Sequence, residues 1–270
     1  MDNLHRELAP ISGEAWAQIE EEASRTLKRH LAARRVVDVP DPKGLALSAI
    51  GTGHLHQIQT PGDGIVAAQR DVKAIVELRV PFTLSRQAID DVERGAADSD
   101  WDPLKDAARK IAFAEDRAVF DGYAAAGIQG IREGSSNSAV VLPSHAKGYP
   151  AAVAQAVSRL RLAGVNGPYA LVLGADAYTA AHGGSDEGYP VFHHLEHVVD
   201  GGIIWAPAIA GGFVLSTRGG DFELDIGQDI SIGYQSHSGT AVELYFLETF
   251  TFRLLTTEAA VVLSSEEKKK

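Results

Sequence analysis

The sequence predicts a mixed α+β protein, and three observations carry that reading. Apolar residues recur at helical spacing over 12–33, 102–127 and 150–163. The last third of the chain, 222–263, is dense in strand-forming runs, and no segment repeats another. At 270 residues the chain is long enough for a substantial core in one domain or two. Hydrophobic residues make up 45% and charged residues 23%, a balance that excludes a disordered chain.

Ser12 is placed to cap the first helix, 12–33, in which Trp16, Ile19, Ala23, Leu27 and Leu31 form one apolar stripe. Glu20, Glu21, Glu22, Arg25, Lys28 and Arg29 occupy its other face. Residues 35–39 read as a short strand ended by Pro40 and Pro42. Over 44–84 the pattern changes: HLHQIQ (54–59) alternates polar and apolar, PGDG (61–64) supplies a turn, and 65–84 is mostly β-like. This predicts a long two-stranded arm with few large apolar residues. An isolated hairpin is marginal in water, so the arm needs a partner, for which a neighbouring subunit is a candidate. Asp102 and Pro103 start a long helix that runs to about Gly127. The helix over 150–163 aligns Val153, Val157 and Leu160 and stops at Gly164. Strands and short helices then alternate at 169–173, 176–181, 190–199, 203–205 and 213–216. FELDI, DISIGY, AVELYFLETFTFRLL and EAAVVL follow as strands, and SSEEKKK (264–270) reads as a charged tail.

Composition narrows the function. A net charge of −11 disfavours unspecific binding to nucleic acid or anionic lipid, since both need a positive surface. With no cysteine, disulfides, thiolate-ligated zinc and iron–sulfur clusters are excluded. The first residues lack the apolar run of a signal peptide, and no run of about 18 apolar residues is present, so a soluble cytoplasmic protein is expected. The phosphate-binding loop, dinucleotide fingerprint, nucleophile elbow and H-E-x-x-H motifs are all missing. Asp90, Asp91 and Glu93 read as a solvated acidic segment beside Arg86 and Arg94, because adjacent helical residues point apart. His54 and His56 share a polar strand face and read as surface.

The densest cluster is YPVFHHLEHVVDGG (189–202). On a helix beginning at Pro190, His193 and His197 lie at i,i+4 and share a face, as two zinc ligands would. A hydrolytic zinc site also keeps a third protein ligand and a general base, and in the helical metalloprotease motif that base directly follows the first histidine, where His194 stands here. The residues alone leave metal binding, a surface or pore-lining role and a core role open. No catalytic residue, metal site or cofactor is predicted.

Several blocks, taken together and in order, resemble the encapsulin shell proteins, with the closest likeness to actinobacterial members. They are LAPISGEAWAQIEEEA (8–23), ELRVPFTLS (77–85) with IDDVERG (89–95), GVNGPYALVL (164–173), RGGDFELDIGQDISIGY (218–234) and LYFLETFTF (244–252). The resemblance implies the tailed-bacteriophage major-capsid fold, an α+β architecture with a peripheral domain, an axial domain and an extended loop. It divides the chain into an N-terminal helix and the start of the peripheral domain (1–43), the extended loop (44–84), and the peripheral domain with its spine helix (85–149). The axial domain (150–217) carries a pore loop at 183–190, peripheral strands occupy 218–263, and the tail is 264–270.

What the resemblance implies for function is compartmentation: identical subunits close into an icosahedral shell, of the smallest class, around cargo enzymes. Cargo is held by a short C-terminal peptide containing Leu, Ile, Gly and Ser, in a groove expected to use Leu27, Leu31, Arg34, Asp38, Ile230, Ile232 and Tyr234. A dye-decolourising peroxidase is the first expected cargo and a ferritin-like protein the second. Gly184, Ser185, Asp186, Glu187, Gly188 and Tyr189 are expected to line the fivefold pore, where symmetry would repeat the charge of Asp186 or Glu187 as a cation-favouring ring. On this reading the chain is no enzyme and has no nucleic-acid or membrane partner. The competing readings are a phage-type major capsid protein packaging DNA and a metal-dependent enzyme using His193 and His197.

Overall fold

The computed structural model describes residues 3–265. Helix α1 (Gly13–His30) starts where Ser12 Oγ accepts the Ala15 N–H at 3.2 Å, and it buries Ala15, Ile19 and Ala23. It stops at His30, short of the expected 33. The strand expected over 35–39 is replaced by a turn of 3-10 helix, Ala33–Arg35, and only Asp38 makes a bridge, to Glu223. The cause is a buried acid: Asp116 accepts the N–H groups of Ala32 and Ala33 at 2.9–3.1 Å, which bends the chain into a corner.

Strands β1 (Ala49–Gln57) and β2 (Ala68–Ala74) form an antiparallel sheet of their own. The expected arm is shorter than 44–84, because β3 (Val76–Ser85) leaves it for the main sheet. Its alternation explains why: Val76, Leu78, Val80, Phe82 and Leu84 turn inward, while Glu77, Arg79 and Thr83 stay exposed. Helix α2 (Arg86–Glu93) is capped by Ser85, and Asp91 pairs with Arg94.

Helix α3 (Asp102–Phe120) has Pro103 in its first turn and ends seven residues before Gly127. There Gly122 takes φ +93°, and a side chain on it would meet the Gly130 backbone nitrogen at 2.9 Å. The chain continues through α4 (Ile131–Gly134), β4 (Val140–Leu142), α5 (Tyr149–Leu162), β5 (Tyr169–Leu173) and α6 (Ala175–Gly183). A two-residue hairpin, β6 (Ser185–Asp186) and β7 (Tyr189–Pro190), leads into α7 (Val191–Val198). Strands β8 (Ile203–Trp205), β9 (Gly212–Ser216), β10 (Phe222–Ile226), β11 (Ser231–His237), β12 (Ala241–Leu254) and β13 (Ala260–Ser265) complete the described chain.

Two larger sheets result. In the first, the long strand β12 pairs antiparallel with β3, β10 and β11. The second has the order β4-β13-β9-β5-β8, with parallel pairs at β4/β13 and β5/β8. Thus β13 returns to the second sheet and does not join the β10–β12 strands that precede it. It also runs through Ser264 and Ser265, the first two residues of the expected tail, and the rest of that tail lies outside the described residues.

The buried side chains form two hydrophobic cores, and β10 of the first sheet contributes Phe222, Leu224 and Ile226 to the second. Ile19, Phe82, Leu84, Leu104, Ile111, Leu244 and Phe246 belong to the first. Phe120, Val153, Leu171, Phe213, Phe250 and Phe252 belong to the second. Helix α3 and strand β12 have fully buried residues in both cores and so join the two halves, and β3 also spans them, with Val76 and Leu78 against the second core and Phe82 and Leu84 in the first.

Truncating either crossing member inside a core leaves a cavity. Ile111→Ala is expected to cost about 2–5 kcal/mol and Phe250→Ala about 3–5 kcal/mol. Leu162→Ala, at a side chain 86% exposed, should stay within about 0.5 kcal/mol. Urea denaturation of the three variants checks the contrast.

Candidate functional site

Where the two cores meet, α3 presents Glu115 and Asp116 and β12 presents Glu248, all fully buried. Arg34, brought in by the corner after α1, reaches this seam. Its Nε lies 2.9 and 3.0 Å from the two Glu115 oxygens, its Nη2 lies 2.6 Å from Glu115 and 2.7 Å from Glu248, and its Nη1 lies 2.8 Å from Asp229. Burial alone would lower the Arg34 pKa, but the hydrogen bonds and charges of Glu115, Glu248 and Asp229 outweigh it and raise it. One guanidinium does not balance so many acids in a dry seam. Burial, followed by the charge of Glu115, pushes the Glu248 carboxyl well above its ordinary range. Burial pushes Asp116 up to about 7, against the opposing pull of the Ala33 and Ala32 N–H groups.

Beside this seam runs a groove of about 410 Å³. Ala23, Leu27 and Leu31 of α1 form one wall, and Ile230, Ile232 and Phe246 form the other. Arg34 and Asp229 supply charge, as do Lys28, Arg6 and Glu20. Of the seven expected groove residues, Leu27, Leu31, Arg34, Ile230 and Ile232 therefore lie together. Two do not line it. Asp38 faces the other way and accepts the Gly220 N–H at 2.6 Å, and the Tyr234 hydroxyl bonds His237 Nδ1 at 2.6 Å. Glu115, Glu248 and Asp229 escaped the sequence reading, as did Leu4 and Arg6. A signal existed for the first two, since each is an acid inside an otherwise apolar stripe or strand.

The hairpin β6–β7 holds the expected pore-loop residues on the surface. Glu187 sits at its tip with φ +50°, next to Gly188 at +89°, and Tyr189 is 44% exposed. The two acids there are not equivalent. Asp186 pairs with Lys147 at 2.7 Å, so its charge is locally compensated, whereas Glu187 is exposed at the turn. The sequence alone does not distinguish Asp186 from Glu187, and the ion pair with Lys147 does so. Along α7, His193 Nδ1 lies 2.7 Å from Glu196, and Tyr189 packs edge-on against His194. Among the described residues no group of three or more His, Asp or Glu side chains converges to hold a metal ion, and no helix is long and apolar enough to cross a membrane.

Comparison with known proteins gives a consistent result. A family profile described as "Encapsulating protein for peroxidase" matches residues 1–251. The chain is 62% identical to a type 1 encapsulin shell protein of Rhodococcus erythropolis over 264 residues, covering 98% of this chain and 100% of the relative. It is 57% identical to the type 1 encapsulin shell protein of Mycobacterium tuberculosis, with the same coverage. Among solved structures it resembles the virus-like particle of Pyrococcus furiosus, with a TM-score of 0.64, 17% identity, and coverage of 93% of this chain and 100% of that one. It also resembles a protein of Mycobacterium phage Bobi, with a TM-score of 0.55, 13% identity, and coverage of 97% and 93%. These likenesses establish the α+β fold of phage-type capsid proteins.

Two outcomes follow from the seam. Arg34→Ala leaves buried carboxylates without a counter-charge and is expected to destabilise the subunit by about 3–5 kcal/mol. Asp116 has a raised folded-state pKa, so its stabilising protonation is fully present below the ordinary aspartate value of about 3.9 and is lost as pH rises through about 7. The contribution of Asp116 to denaturation midpoints should therefore fall between about pH 4 and pH 7 and level off above, and Asp116→Asn should flatten that fall.

Proposed function

The chain belongs to the encapsulin shell-protein family, and from that premise we propose that it is the repeating subunit of a closed icosahedral shell with a compartmenting role and no catalysis of its own. The observation that carries this reading is the arm. Strands β1 and β2 form a separate two-stranded sheet, and Leu55, Ile58, Ile65, Val66 and Val72 are exposed on it and its turn. A hairpin so poor in cover is stable only against another molecule, and identical subunits with several interfaces close by symmetry. In this reading the arm is the extended loop reaching a neighbour. The first sheet with α3 forms the peripheral domain, and the β5–β9 region forms the axial domain.

The groove beside α1 is then the cargo site. An extended peptide with Leu and Ile side chains suits its apolar walls, and many weak contacts become effective when the sites are multiplied over a shell. The family's description supports a peroxidase as cargo, and the resemblance of the sequence puts a dye-decolourising enzyme first and a ferritin-like protein second. The hairpin at 183–190 is the pore loop, and a ring of Glu187 side chains would favour small cations. A soluble shell of this kind works in the cytoplasm.

Size-exclusion chromatography and electron microscopy of the purified chain test the assembly. A megadalton closed particle is expected; a monomer or dimer, or nuclease-resistant DNA inside the particle, overturns the reading. For the pore, Glu187→Gln should slow cation uptake into assembled shells several-fold while Asp186→Asn changes it little. Equal effects of the two substitutions would remove the distinction between them.

A further inference from the structure

The groove has a wall that comes from neither the first helix nor the strands. Leu4 and Arg6 line it, and both belong to a short segment that runs along the outer side of β11. Five contacts hold the segment down. The Tyr234 N–H donates to the Leu4 carbonyl at 2.8 Å, the Tyr245 hydroxyl donates to the Asn3 carbonyl at 3.3 Å, and Asn3 Nδ2 donates to Gln228 Oε1 at 3.0 Å. Arg6 pairs with Glu20 of α1, and its guanidinium lies 4.1 Å from the centre of the Trp16 ring.

These contacts place the segment on a sheet edge. Among the described residues β11 pairs with β12 on one side only, so its other side presents an edge of the kind to which extended peptides add. Backbone groups alternate sides along an antiparallel strand. Since the Tyr234 N–H points outward to Leu4, the backbone of Ile232, two residues earlier, points to the same outer side. The Leu4 carbonyl thus takes one position of the edge and leaves the Ile232 level for another chain, while the Ile230 N–H just before the strand donates to Asp229 Oδ1 at 2.8 Å. The available length agrees with a short peptide. From Glu20 to Leu31 the α1 wall spans ~16 Å at 1.5 Å per residue, which accommodates about five extended residues at ~3.3 Å each. Arg6–Glu20 closes one end and Arg34–Asp229 the other.

We infer that the cargo peptide binds as an added strand on the open edge of β11, and that Leu4 is the stop that sets its register and limits the side chain accepted at that end. The inference rests on the cargo reading of the groove. Leu4 is half-buried and is therefore a positioning residue with a shape of its own to impose.

The test uses full-length shells co-produced with a fluorescent protein ending in a Leu-, Ile-, Gly- and Ser-containing peptide. A matched set of probes carries each Leu or Ile replaced in turn by Phe. Fluorescent protein per shell subunit is measured in purified particles. Leu4→Ala is expected to lower loading of the parent probe about three- to tenfold, and to favour one Phe probe over the parent because that ring fills the space vacated. Leu4→Val should shift loading in the same direction by less, with shell yield unaffected. Unchanged loading in Leu4→Ala, or the same fractional loss for every probe, overturns the role of Leu4. Leu27→Asp separates the two readings: if it too loads the parent probe normally, the cargo groove itself is misplaced. If it abolishes loading while Leu4→Ala does nothing, only the register inference fails.

Discussion

Arg34 holds together parts of the chain that sequence separates widely, and its ion pairs with Glu115 and Glu248 are the constraint on which the architecture turns. Two hydrophobic cores meet at this point, and α3 and β12, which both have fully buried side chains in each core, carry their buried acids there. Such a polar seam is a poor source of net stability, since desolvation consumes most of the Coulomb attraction. Its value is geometric. A guanidinium shared by Glu115, Glu248 and Asp229 fixes the corner after α1 relative to both halves. The neighbouring Asp116 binds the backbone of the same corner from beneath.

The groove is a consequence of that corner. Because the chain turns at Ala33 and does not continue as strand, α1 stands off from β11 and leaves a trench with apolar walls and charged ends. Among the described residues, the Leu4 carbonyl meets the outer edge of β11 at Tyr234. A short open edge is a poor template for whole sheets, and the segment carrying Leu4, laid on part of it, shortens it further.

The surface is divided in a comparable way. Apolar side chains that lack cover concentrate on the arm, while the hairpin β6–β7 presents charge. Lys147 compensates one of its acids, so what the turn offers outward is chiefly Glu187. The histidines of α7 pair with local partners: His193 with Glu196, and His194 against Tyr189. Their density in sequence reflects one short helix passing under the hairpin, not a convergent ligand set.

Local patterns carried much of this protein. The Ser12 cap, the stripe from Ile19 to Leu31, the Asp102-Pro103 start and the strand-rich final third are short-range features, and period and capping chemistry suffice to read them. The blocks shared with the shell-protein family were equally legible, because a resemblance needs only residue order. Tertiary structure decided what depends on distant partners. β3 pairs with β12 across more than 150 residues, so its departure from the arm was invisible locally. The same holds for β13, which joins strands from the middle of the chain. The strand expected at 35–39 became a corner because Asp116, far along the chain, captured two backbone N–H groups. Asp38 and Asp186 were distinguished from their neighbours in the same way, by what each met after folding: Gly220 in one case and Lys147 in the other. Periodicity determines which face of an element is apolar, but the partner that covers it and the charge that answers a buried acid are set only when the chain closes on itself.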